Sequence, residues 1–237
     1  MNNNHIIWIL WGMWPYASLR AYRLLLEISK SYSNWWGNHD FPHILIDNIP
    51  VQSLIDTEVS VADTVWQVQR EYRRLRNAGA DIVLMACNTM HLYSGEIYDK
   101  EHLPNCRILS LVYQIEEYIG RVWHKKIWIL WSLRTIESGL YETWFSTMGV
   151  EVLTPSPTER YRINDIIEMV IAWIPLSDED TRFLENLLSY YKEEWCESVI
   201  LWCSELPIAF ENMTPPLPLY DPLEITLKKA CELYYTD

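Results

Sequence analysis

Two cysteines occupy equivalent places in two similar stretches of this chain. NAGADIVLMACNT leads into Cys87 and EEWCESVILWCSE into Cys203, 116 positions further on. A second pair, HIIWILWGM from His5 and KKIWILWSL from Lys125, aligns at an offset of 120 when Trp8 is set against Trp128. Two nearly equal offsets imply a duplicated α/β unit with one thiol at the same place in each half. A desolvated, oriented thiolate is an effective base, and a thiol is the matching acid. Two such groups facing one another would take a proton from one face of a carbon and return one to the other, with no cofactor.

The elements that must position these thiols alternate. Strands are predicted over 6–11, 43–47, 81–86 and 107–111, and helices over 18–33, 60–78 and 114–122. Ser60 caps the 60–78 helix, with Asp63 three residues on. The second half repeats the order, with strands over 126–131, 150–153 and 198–202. Its helices span 135–148, 161–173 and 178–194; Gly149 ends the first, and an acidic first turn suits the dipole of the last. Residues 33–42 read as a loop, and 215–222 as a loop around a short segment before a closing helix over 223–235. The fold class is α/β: two similar Rossmann-like lobes with mainly parallel sheets, 1–113 and 114–222, and a C-terminal helix, 223–237, packing back on the first. Ligands of such sheets sit beyond the carboxyl ends of the strands. Both thiols fall there, which places the active site in the cleft between the lobes.

Composition narrows the field. A net charge of −13 over 237 residues excludes nucleic acid and anionic membranes as partners. MNNNHIIWILW lacks the basic start of a signal peptide, and no apolar run approaches the roughly 20 residues of a membrane helix. Five cysteines without compact spacing do not form a disulfide framework. The expectation is a cytoplasmic protein with reduced thiols. Cys106, Cys196 and Cys231 do not end matching strands with Asn-Thr or Ser-Glu after them, and read as packing or surface residues. His39 and His43 have no companion cluster of cysteines or carboxylates, so no metal site is expected. His91 has two readings, a residue supporting Cys87 from behind and, more commonly, a satisfied helix histidine.

Asn88 and Thr89 follow the first thiol, and Ser204 and Glu205 the second. ACNTMH (86–91) and WCSEL (202–206) resemble the ACNT.H and GCTEL or GCSEL signatures of the aspartate/glutamate racemase family. WILWGMWP (8–15) is similar to its GILGGMGP, and WILWS (128–132) to its second-lobe strand. The resemblance covers nearly the whole chain. It implies cofactor-independent racemisation of an acidic amino acid, with Cys87 and Cys203 as the acid/base pair. It implies that Asn88, Thr89, Ser204 and the backbone around Gly12 and Met13 bind the α-carboxylate, and that Glu205 sets the proton balance of the second thiol. It also places Asn48 near the substrate and Thr135, with Ser138, along the pocket, and implies a homodimer. Two features depart from the pattern. IPVQSL follows Asn48 instead of a Pro-Asp-Arg stretch, and MVIAW (169–173) lacks a lysine. The choice among aspartate, glutamate and a broader range therefore stays open. So do a hydantoin racemase or maleate isomerase type of reaction, and a silent amino-acid-binding relative with a Trp-filled cleft.

The chain carries 13 Trp and only 7 Gly. Trp195 stands opposite Gly79 in the repeat, where a helix-ending glycine belongs. Trp8, Trp11, Trp14, Trp128, Trp131, Trp173, Trp195 and Trp202 are expected to occupy glycine slots, several with positive φ or no room for a Cβ. Trp66 and Trp144, in amphipathic helices, are expected in the core.

Overall fold

The computed structural model describes residues 5–11, 14–32, 37–52, 59–98, 106–131 and 140–236; side chains at 11 and 140–143 are outside the description. Gly12, Met13, Thr135 and Ser138 therefore lie outside it. The chain divides into two compact units, Met1–Ile115 with Leu223–Asp237, and Glu116–Pro222.

In the first unit, strands β1 (Ile6–Trp11), β2 (His43–Asn48), β3 (Ile82–Met85) and β4 (Arg107–Leu109) form a parallel sheet of order β2-β1-β3-β4. β3 is wholly buried, as a continuous apolar run in a covered parallel sheet should be. Helices α1 (Pro15–Ser29) and α2 (Val61–Asn77) follow β1 and β2. Pro15 opens α1, where its missing N–H costs nothing. The Ser60 hydroxyl accepts the Asp63 N–H at the start of α2. After β3 come a 3-10 turn (Thr89–Tyr93) and the short α3 (Ser94–Ile97); α4 (Leu111–Val122) follows β4.

The second unit repeats the plan. β5 (Lys126–Leu130), β6 (Glu151–Leu153), β7 (Ser198–Leu201) and β8 (Leu219–Tyr220) form a parallel sheet of order β6-β5-β7-β8. Helices α5 (Leu140–Thr147), α6 (Pro157–Ile171), α7 (Asp178–Glu193) and the short α8 (Leu206–Ala209) accompany them. Ser156 with Glu159 and Ser177 with Asp180 close capping boxes on α6 and α7. Leu10 pairs with Met85 in the first sheet, and Leu130 with Leu201 in the second. The two copies also share an acidic latch. Asp81 accepts the Ile6 N–H at 3.0 Å, and Glu197 accepts the Lys126 N–H at 3.0 Å and the Lys125 N–H as well. These carboxylates stand at equivalent places before β3 and β7, and each ties down the start of the neighbouring strand.

The last helix, α9 (Pro222–Thr236), belongs to the first unit from Leu223 onward. Leu227, Ala230 and Cys231 are fully buried. Tyr235 donates to the Asp40 carbonyl at 2.7 Å and stacks on Tyr32, and the Tyr234 hydroxyl accepts the His43 N–H.

The tryptophans divide into two groups. Trp173 and Trp195 have φ of 61° and 64°, and Trp123, outside the eight singled out, has 59°; they are the only non-glycine residues with positive φ among the described residues. Trp195 donates to the Lys192 carbonyl while Cys196 donates to Tyr191. Trp173 donates to Val170 while Ile174 donates to Met169. The same two bonds close α2 around Gly79 and α5 around Gly149, where φ is 87° and 72°. This is the Schellman ending that favours glycine at its left-handed residue. The strand tryptophans differ: Trp8, Trp11 and Trp128 have no positive φ, and neither do Trp14, Trp131 and Trp202 beside them. For these six the expected positive φ is not found. Trp8, Trp128, Trp131 and Trp202 are buried. Among the described residues the Nε1 atoms of Trp8 and Trp128 find no hydrogen-bond partner. The Trp128 and Tyr191 ring centroids are only 3.3 Å apart, well inside the usual 4.5–7 Å.

Two core assignments are corrected. Trp66 is 57% and Trp144 39% exposed. On α2 the buried face is Thr64, Val65, Val68, Glu71, Tyr72 and Leu75, and Trp66 points off it toward Arg70, 5.2 Å from its ring. The segment 215–222 contributes a strand, β8, whose flanking prolines hide its pattern.

Trp195 is 85% exposed, so its ring contributes little packing while its Cβ stays in a left-handed seat. Trp195→Gly is expected to stabilise the fold by about 1 kcal/mol, and Trp195→Ala, which keeps a Cβ, by much less. Urea midpoints at unchanged slope measure both.

Candidate active site

Each thiol is placed by a strand that ends one residue early. Ala86 donates its N–H to the Leu10 carbonyl at 3.2 Å, and Trp202 donates to Leu130 at 2.7 Å. Cys87 and Cys203 come next, both buried at the carboxyl ends of β3 and β7. In both sheets these strands flank the one from which the order reverses, the place where open α/β sheets bind ligands.

Beyond the cysteines the copies diverge. Cys87 runs into the 3-10 turn, which brings the Met90 N–H to 3.4 Å from its sulfur. A donor so placed is one that an anionic sulfur uses. Asn88 is buried and Thr89 half-buried beside it. Cys203 instead donates its S–H to the Glu205 carboxylate at 2.8 Å, and the Ser204 hydroxyl donates to the same oxygen at 3.0 Å. Cys203, Glu205 and the first residue of α8, Leu206, are all buried. Cys87, Asn88 and Thr89 thus form one group and Cys203, Ser204 and Glu205 another. Asn48 ends β2 opposite Trp11 of β1, and its amide oxygen accepts the Ser18 hydroxyl at 2.9 Å.

His91 contributes a feature not evident from its sequence context. It is buried and satisfied, as a helix histidine should be, but its partners bridge two elements. Nδ1 lies 2.6 Å from the Cys87 carbonyl oxygen, and Nε2 lies 3.1 Å from the Leu111 nitrogen. The Leu111 N–H can only donate, so Nε2 accepts, and Nδ1 carries the proton toward Cys87. Burial lowers the His91 pKa to about 4, against a smaller opposing effect of the Cys87 carbonyl. His91 is therefore neutral at pH 7. The signal for it in the sequence was the four-residue spacing from Cys87.

The remaining thiols behave as packing residues. Burial pushes Cys196 and Cys231 up to about 11 and raises Cys106. Among the described residues no group of three or more His, Cys, Asp or Glu could hold a metal ion. No described helix is long and apolar enough to cross a membrane.

A parallel α/β unit thus occurs twice, and each copy carries a thiol just past its third strand. The sequence profile of the Asp/Glu/Hydantoin racemase family matches residues 10–230, and the chain belongs to that family. It is an enzyme of the racemase class. It is 22% identical to a broad specificity amino-acid racemase, RacX, of Bacillus subtilis, over 97% of this chain and 98% of the relative. Among solved structures it is similar to an aspartate racemase homologue from Pyrococcus horikoshii, at 25% identity and a TM-score of 0.78, covering 96% of this chain and 98% of that one. An aspartate racemase from Picrophilus torridus shares the fold at 19% identity, with a TM-score of 0.77 and coverage of 98% and 99%.

The His91 pKa lies below the ordinary value of 6.5, so the unfolded chain takes up the proton first as pH falls. Stability is expected to drop between pH 6.5 and about 4 by about 3 kcal/mol more in the parent than in His91→Gln, at 1.36 kcal/mol per unit. Denaturant unfolding across that range checks it.

Proposed function

We propose that this protein racemises an acidic amino acid without a cofactor, using Cys87 and Cys203 as its acid/base pair. The observation that carries the reading is the equivalent seat of the two thiols, one residue past the last hydrogen bond of matching strands. Their partners support opposite starting states. Cys87 receives an N–H, which suits a thiolate, and Cys203 gives its S–H to Glu205, which suits a thiol. In one direction Cys87 takes the α-proton as the Cα–H bond breaks. Cys203 then delivers its own proton to the other face, leaving Cys87 a thiol and Cys203 a thiolate. The opposite enantiomer reacts from that state. Donors aimed at the carboxylate stabilise the carbanion-like transition state. Asn88, Thr89, Ser204 and the backbone at Gly12 and Met13 are proposed for that task, with Asn48 and Thr135 bordering the substrate. Resemblance to the family extends the proposal to a cytoplasmic homodimer. An inactive amino-acid-binding relative is the second reading, favoured by the indoles buried next to the strand ends, Trp131 and Trp202.

Incubation of the D- and L-forms of aspartate and glutamate in deuterated water, followed by proton NMR and chiral separation, separates these readings. α-Deuteration with inversion supports the racemase and identifies the substrate; binding without exchange supports the inactive relative. Cys87→Ser and Cys203→Ser are each expected to lower racemisation by about 10²–10⁴-fold or more, since an alcohol replaces a thiol poorly as acid or base. Each is expected to keep exchange with one enantiomer only. Racemisation at the parental rate in both variants sinks the two-thiol mechanism.

A further inference from the structure

The clamp made by His91 extends the reading above and rests on it for its catalytic consequence. Helix α4 begins at Leu111, and the first N–H groups of a helix have no partner within it. Here a side chain from a different element supplies one. The same imidazole holds the carbonyl of the residue that bears the first thiol. Rotation of the Cys87 peptide would break the contact with Nδ1, and movement of the 3-10 turn would break the contact with Nε2. The Met90 N–H, on that turn, meets the sulfur only while this geometry holds. We propose that His91 is a positioning residue, which as a neutral Nδ1–H imidazole ties the backbone of Cys87 to the start of α4 and so fixes the direction of its sulfur.

His91→Ala removes both contacts, while His91→Gln offers one donor and one acceptor in a single amide. Nitrogen NMR of the parent should show the Nδ1–H tautomer throughout the neutral range, and hydrogen exchange should show the Leu111 amide protected. His91→Ala should lose that protection and lower kcat by about ten- to a hundred-fold with little change in KM, the scale of a misplaced reacting group. His91→Gln should recover part of both. An Nε2–H tautomer, or a Leu111 amide equally protected in folded His91→Ala, overturns the clamp. Parental kcat in His91→Ala overturns its bearing on the thiol. A parent without racemase activity refutes the proposed function instead, and the tautomer and amide exchange still decide the clamp.

A separate observation carries a second inference. Among the described residues, the non-glycine residues with positive φ are Trp123, Trp173 and Trp195, one residue type every time. Two of them complete the hydrogen-bond pattern that glycine completes at Gly79 and Gly149. Tryptophan is the bulkiest side chain and gains nothing from the left-handed region. Replacement site by site would have brought in alanine, serine or asparagine as well. A cause acting through one codon changes every such site alike, and UGA is a triplet that different translation systems read as stop, tryptophan or glycine. We infer that these sites are encoded by a triplet that the protein's own cell reads as glycine, so that the chain made there carries glycine at 123, 173 and 195. The crowded strand position Trp128 falls to the same cause. Peptide mass spectrometry of the protein isolated from its own cell tests this. Peptides spanning 173 and 195 should be lighter than their tryptophan forms by one indolylmethyl group, replaced by hydrogen, per site. Peptides bearing tryptophan there overturn it.

Discussion

The candidate site depends on where two backbone hydrogen bonds stop. The bonds from Ala86 to Leu10 and from Trp202 to Leu130 are the last between the third and first strands of their sheets. The residue after each is a cysteine. Because every strand is parallel, all carboxyl ends gather at one edge of each sheet. Because the order runs second, first, third, fourth, the chain leaves the first and third strands toward opposite sides, the arrangement beside which open α/β sheets take their ligands. Each thiol is thus delivered by sheet register, and the register is held from the far end by the acidic latches at Asp81 and Glu197.

Identical placement does not mean identical chemistry. The residues just after each cysteine decide what its sulfur meets. A 3-10 turn folds a backbone donor onto Cys87, and a carboxylate two residues on accepts from Cys203. Duplication provides two equal seats, and divergence of the next few residues makes them unequal.

Much of this was legible in the sequence, because a repeat reports equivalence without any knowledge of contacts. The offsets of 116 and 120 match the register of both sheets, with Leu10 related to Leu130 as Met85 is to Leu201. The pairing of Trp195 with Gly79 foretold a shared helix ending, which the hydrogen bonds bear out. What escaped notice depends on partners distant in sequence. The reach of His91 to Leu111 leaves no local pattern, and neither does the tie between Asp81 and Ile6. β8 is two residues long, too short to show a period. Trp66 faces away from the core because size and helical spacing do not say which way a side chain points when Arg70 can cover it, and the exposure of Trp144 likewise follows from tertiary placement that its spacing does not report.

The return of α9 to the first unit bears on how the chain comes to be folded. Its buried residues, among them Leu227, Ala230 and Cys231, complete the core around α1, and Ser29 of α1 lies 3.8 Å from the Cys231 sulfur. The strands of that core are synthesised early and the helix that finishes it after the whole second unit. Domains fold as units while the chain emerges. The second unit, continuous in sequence, is therefore able to close first. The half that is made first is the half completed last, since its apolar flank stays uncovered until α9 has been made.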